Sequence, residues 1–199
     1  MKRSIILLSG LALVLALVPG SSAGQSKAQP KAAAAPETIV YDAASAMAFF
    51  KTLGGDWQST SHEHGGAPSA NAMDSSISFK VKAAGSAVVE TIRAGQPGEM
   101  ETILHMDGDQ LLMTHYCSLQ NAPVLKFQPS SKPGEIKFVF LGGTNFEPTV
   151  DAHFHEGSFQ VKNKDTIERT STIYTSGKPA PERLSILTRK QAVTRKQSQ

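Results

Sequence analysis

The chain of 199 residues has one cysteine, one tryptophan and three tyrosines. The lone cysteine, Cys117, excludes an intrachain disulfide, and a domain of this length does not need one even in an oxidising compartment. Its simplest role is that of a small buried hydrophobe. A reactive thiol requires cationic neighbours, and only His115, two residues away, answers that description. Gly-x-Ser-x-Gly elbows, phosphate loops and nucleotide fingerprints are all missing, so no catalytic residue is assigned and an enzyme is the less favoured reading. A spanning helix needs roughly 20 apolar residues, and the longest apolar run, Ile5 to Val18, has fourteen. Basic stripes with interleaved aromatics are lacking too, which removes support for a nucleic-acid partner.

The excess of positive charge lies at the ends of the chain. The formal net charge is +3, yet residues 39–189 hold 13 Lys+Arg against 16 Asp+Glu, a net of −3. Lys2 and Arg3 precede the short apolar run, Pro19 and Gly20 break it, and Ser21 to Ala23 supply small residues for cleavage. Residues 1–23 therefore read as a signal peptide, and the protein as one exported to the periplasm or the medium with no membrane span left after cleavage. No cysteine follows the run at the position lipoprotein processing would use. Residues 24–38 are rich in Ala, Pro, Gln and Lys and form a flexible linker. Residues 190–199 are a polar basic tail. One domain, 39–189, remains, and it is long enough for a core.

That domain begins with a helix. Asp42 can cap it, Met47, Phe50 and Leu53 recur at helical spacing, and Gly54-Gly55 stops it. The period then changes to two. Ile77, Phe79 and Val81 alternate with Ser and Lys, and similar segments follow to "RLSILTR" (Arg183 to Arg189). Short Gly/Pro/Asn/Asp connections separate about ten strands, and no helical crossover of a dozen residues interrupts them. Consecutive antiparallel strands in this number close into a barrel or stack as a sandwich.

"GDW" (Gly55, Asp56, Trp57) opens the first strand directly after the helix, and "TRK" (Thr188 to Lys190) ends the last. This resembles the calycin superfamily of lipocalins, fatty-acid-binding proteins and nitrobindin-like barrels. The resemblance implies an up-and-down β-barrel with Trp57 closing one end and Arg189 packed over the indole. The run from Ser86 through Asn121 and Pro123 ("SAVVETI", "HMDGD", "THYC", "NAP") is also similar to an uncharacterised family of exported bacterial proteins with lipocalin-like domains. Gly98 and Leu104 depart from that pattern, standing where His and Tyr are expected. The likeness implies a small-molecule ligand in the interior, and the nitrobindin-like members also make haem an alternative.

Six histidines raise the question of a metal: His62, His64, His105, His115, His153 and His155. His105 and His115 flank an Asp107-Gly108 turn. A two-residue turn there puts them on opposite faces, and a three-residue turn puts them on one face but roughly 13–20 Å apart. Zinc ligands lie about 2 Å from the ion, so these two cannot share one. His62/His64 and His153/His155 each place two imidazoles on one strand face, about 7 Å apart at Cα. A metal at His153 and His155 with an inward carboxylate is the alternative to a plain binding barrel, although no cofactor is predicted.

Alternation also sends charge inward. Glu90 shares a face with Val88 and Ile92, and Glu156 shares one with Phe154. A buried carboxylate needs a partner, and His115, Tyr116, Asn121, His155, Arg169 and Tyr174 are of the right type. Glu90, His115, Cys117, His155, Glu156 and Arg169 are therefore the expected cavity residues, with His115 and Cys117 taken as the inward pair of their strand.

Overall fold

The structure is a computed structural model that describes residues 39–62 and 75–191. Residues 1–38, 63–74 and 192–199 lie outside the described residues; they include the stretches read as signal peptide and linker, His64 and most of the basic tail. Helix α1 spans Ala43–Thr52. Asp42 caps it as expected: its carboxylate accepts from Ser45 N–H at 2.7 Å, and Ser45 Oγ accepts from Asp42 N–H at 2.9 Å. This reciprocal box satisfies amide donors that a helix start otherwise leaves orphaned. Ala46, Met47 and Phe50 form the buried face, and Leu53 ends the helix.

The strands are β1 (Gly55–His62), β2 (Ser75–Lys82), β3 (Ala87–Ile92), β4 (Met100–Asp107), β5 (Gln110–Tyr116), β6 (Ala122–Gln128), β7 (Glu135–Thr144), β8 (His153–Asn163), β9 (Thr166–Thr175), β10 (Lys178–Pro179) and β11 (Arg183–Arg189). Each of β1 to β9 pairs antiparallel with the next, then β9 pairs with β11 and β11 with β1. Ten strands thus close a barrel, the solution that leaves no free sheet edge. The two-residue β10 lies on the same edge of β9 as β11 and is the broken start of the last strand.

The β4–β5 hairpin closes at Asp107 and Gln110, with Gly108-Asp109 as the loop. The turn lies one residue later than Asp107-Gly108. Positive φ falls on Gly108 (+59°), the first loop position, where a type II′ turn requires it. The loop still has two residues, so His105 and His115 face opposite sides.

Trp57 is fully buried at the helix end of the barrel. Its indole N–H donates to Leu53 O at 2.8 Å, and the Arg189 guanidinium carbon lies 4.3 Å from the ring centroid. Trp57 and Arg189 are direct cross-strand partners, which places them in contact. Arg189 also donates to the carbonyls of Thr52 (3.2 Å) and Gly54 (2.8 Å) and to Asp165 Oδ1 (3.0 Å). One guanidinium therefore covers the indole and holds carbonyls at the end of α1. Arg189→Leu should cost about 2 kcal/mol in urea unfolding, since cation–π contact alone is worth roughly 0.5–2 kcal/mol. A loss under about 0.5 kcal/mol would show that the contact carries no such load.

The lumen is unevenly filled. Below α1, Phe50 meets Phe138 (6.0 Å) and Phe159 (5.1 Å), and Trp57 meets Phe79 edge-on. Leu111, Leu125, Ile167 and Leu187 complete a fully buried apolar half. Toward the other end the buried set turns polar: Ser59, Glu90, Thr102 and His115.

Candidate functional site

The polar half is built from a row of paired residues. Glu90 on β3 sits opposite Thr102 on β4, and Thr102 sits opposite His115 on β5. Uninterrupted alternation turns all three side chains inward. Glu90 is 2 % exposed, with Val88 and Ile92 buried on the same face. The Thr102 hydroxyl and His115 Nδ1 are hydrogen-bonded at 2.9 Å, and the His115 ring meets Phe154 edge-on at 5.5 Å.

Arg169 comes from the far wall. On β9 it is paired with Phe159 and Ser185. In the ring of strands β11, β1 and β2 separate β9 from β3. Even so, Arg169 Nη1 donates to Glu90 Oε1 at 2.6 Å, so the ion pair crosses the lumen. Burial, together with the nearby Arg169 charge, lowers the His115 pKa from 6.5 to about 4. The imidazole is therefore neutral at pH 7.

A cavity of about 60 Å³ adjoins this pair, lined by residues including Glu90, Thr102, Met113, Phe154, Phe159 and Arg169. One water needs at least about 10–15 Å³, so the space holds a few waters or a very small molecule. Drug-sized ligands occupy roughly 300–1,000 Å³, and a haem macrocycle does not fit the chamber as it stands.

Three expected cavity residues lie elsewhere. Glu156 faces outward, with Lys137 Nζ 3.9 Å from its carboxylate and both side chains more than a third exposed. The cause is a bulge: Phe154 pairs with Ile173 and Glu156 with Thr172, leaving His155 as an extra residue. An inserted residue changes the phase of alternation, so Phe154 lines the chamber while Glu156 does not. Gly157 makes room for that ring, since a Cβ there would stand 2.9 Å from Phe154 Cζ and 2.7 Å from Thr170 O. Cys117 is not an inward partner of His115. Strand β5 ends at Tyr116, and Cys117 begins a turn in which its N–H donates to Asn121 O at 3.0 Å. Alternation does not extend into a turn, and Cys117 lines an outer groove instead.

His155 joins His153 in an aromatic cluster with Phe140, Phe146 and Tyr174. His153 Nδ1 lies 2.9 Å from Asp151 O, which can only accept, so Nδ1 carries a proton. His153 Nε2 and His155 Nδ1 face each other at 2.9 Å and share a hydrogen bond. Burial first, then the neighbouring His153, lowers the His155 pKa. The facing nitrogens are spent on each other rather than open to an ion. Among the described residues no group of three His, Cys, Asp or Glu stands close enough to hold a metal. His62 ends β1, and its expected partner His64 lies outside the described residues.

Thr102 is a polar chamber residue that sequence reasoning passed over, as it did Met113 and Phe159. It is an ordinary β-branched strand residue, and only the β3–β4 and β4–β5 registers place it between Glu90 and His115.

No family model matches the chain, and no curated protein matches it in sequence. Among solved structures, the chain is similar to a protein of unknown function from the DUF3598 family of Nostoc punctiforme. Identity is 12% and the TM-score 0.42, over 69% of this chain. The match spans 46% of that protein's length, less than half.

Proposed function

We propose that this protein is a binding barrel for a small, partly apolar molecule with a polar head, held in the chamber that Glu90 and Arg169 cross. The observation that carries this reading is the ion pair itself. Apolar side chains of similar volume usually stabilise an interior at least as well as a buried pair does, and the helix-side half of this lumen is filled in that way. Stability does not explain why the other half keeps a carboxylate, a guanidinium, a hydroxyl and a neutral imidazole around an unfilled space. The pair offers acceptor and donor together and is close to neutral as a unit, so the head group it suits is uncharged, such as an amide or alcohol. Ile92, Met113 and Phe154 offer contact to a short apolar body. The basic start, short apolar run and small-residue break at the amino terminus support export as the setting.

Thermal unfolding with propionamide tests this proposal. A ligand that binds the folded state raises the midpoint by mass action. The wild-type midpoint should climb with ligand concentration, and that of Glu90→Leu/Arg169→Met should not. Equal responses in the two proteins would refute the chamber as the site.

A further inference from the structure

The outer wall of the barrel is apolar on one side. On β3, β4, β5 and β6 the positions that alternate with buried lumen residues carry Val89, Ile103, Leu112 and Val124. Register joins them into a patch. Val89 pairs with Ile103, Ile103 with Thr114 and Thr114 with Val124. Leu112 stands in the next row, between His105 and Lys126. Tyr116 and Leu141, both half exposed, extend the patch toward the ends of β5 and β7. None of these side chains packs against the core cluster. On β8, β9, β1 and β2 the same outward positions hold Ser158, Gln160, Glu168, Thr170, Gln58 and Ser78. Alternation requires only the inward residues to be apolar, so the fold does not set this difference between the two sides. Scattered surface hydrophobics need no explanation, but a contiguous patch marks an interaction surface.

The charges at the rim say what covers it. Glu101 stands at one corner, paired with Tyr116, and Lys126 at the opposite corner, paired with Leu112. Among the described residues the Glu101 carboxylate accepts from the Thr91 hydroxyl at 3.4 Å, and Lys126 makes no ion pair. Thr114 lies midway between the corners. With strands about 4.8 Å apart and alternate residues about 6.7 Å apart, each corner is roughly 8 Å from Thr114. A partner of one charge sign would be repelled at one corner. A second copy, turned by a two-fold axis that lies in the face and passes through Thr114, presents the opposite charge at both.

We infer that two copies of this chain pair face to face across the outer wall of β3 to β6, with Glu101 of each against Lys126 of the other. The same rotation sets Ile103 against Leu112 of the second copy, and Val124 against its Tyr116. The contact is isologous, so each favourable pair occurs twice. With side chains included the face spans roughly 20 Å by 20 Å. Two copies then bury on the order of 800–1,000 Å² in total, below the standard size of a specific interface. The dimer is accordingly weak, with a dissociation constant on the order of 10–100 µM. Pairing on this outer wall needs no ligand in the lumen.

Sedimentation equilibrium of the full chain, from about 5 to about 500 µM, tests the pairing. The weight-average mass should climb from one chain toward two. Ile103→Lys should hold it at one chain across the range. Glu101→Lys alone and Lys126→Glu alone should each weaken pairing roughly tenfold or more, because like charges then face each other. Glu101→Lys/Lys126→Glu restores opposite charges at both corners and should pair within about threefold of wild type. That recovery also shows that the single variants lose affinity through charge rather than through misfolding. A mass of one chain at every wild-type concentration would overturn the proposal, leaving the face to a segment of the same chain or to a different protein. Pairing that survives Ile103→Lys would put the contact on another face and overturn it as well. So would a double variant that pairs no better than the single ones.

Discussion

Arg169→Met should destabilise the barrel by about 3–5 kcal/mol, the usual cost of removing one partner from a buried ion pair. The loss comes from what remains behind. Glu90 is 3 % exposed at its side chain, and its partner in the described residues is Arg169 Nη1 at 2.6 Å. Methionine follows the aliphatic part of the arginine, so the apolar packing along β9 survives while the carboxylate loses its cation. Replacing both partners gives the contrasting result: Glu90→Leu/Arg169→Met leaves no charge unpaired and should return to within about 1 kcal/mol of wild type. Urea unfolding measures both. A single variant that loses less than about 1 kcal/mol would mean that the carboxylate is satisfied without the guanidinium.

Acid should weaken the fold through His115. The folded-state pKa of about 4 lies below the ordinary 6.5, so the unfolded chain binds more protons between these values. Stability from this group is fully present above pH 6.5, falls as the pH drops toward 4, and loses nothing further below that. The gap corresponds to about 3 kcal/mol. His155 is shifted in the same direction but is more exposed, so wild type alone does not isolate the effect. His115→Asn does: it keeps a polar group near Thr102 and removes the titration. The stability difference between wild type and variant should shrink by about 3 kcal/mol from pH 7 to pH 4. Parallel curves would show that His115 is not held neutral by its surroundings.

Much of this architecture was legible in the residues. Asp42, Met47, Phe50 and Leu53 announce the helix through capping and spacing, which are local. The ten strands follow from alternation between turn residues. Trp57 and Arg189 meet as the Gly-x-Trp resemblance implied, because the first and last strands pair in register. Glu90 was readable as an inward charge because β3 has no irregularity. The errors arose where alternation is broken. One extra residue at His155 reversed the phase of Glu156, and the end of β5 released Cys117 from any face. The reach of Arg169 across the lumen depends on how the sheet closes, which no local pattern encodes. The size of the chamber depends on how Phe50, Phe138 and Phe159 pack, and the same composition fits a full lumen or an empty one.

The claim that the polar half-lumen is a ligand site is tested most directly by a propionamide titration of the ¹⁵N-labelled chain followed by NMR. The account predicts saturable shifts centred on Glu90, Thr102, Met113, Arg169 and Ser171, the chamber walls on β3, β4, β5 and β9. Shifts confined to the outer groove around Glu99, Tyr116 and Asn121, or none at any concentration that leaves the barrel folded, would contradict it.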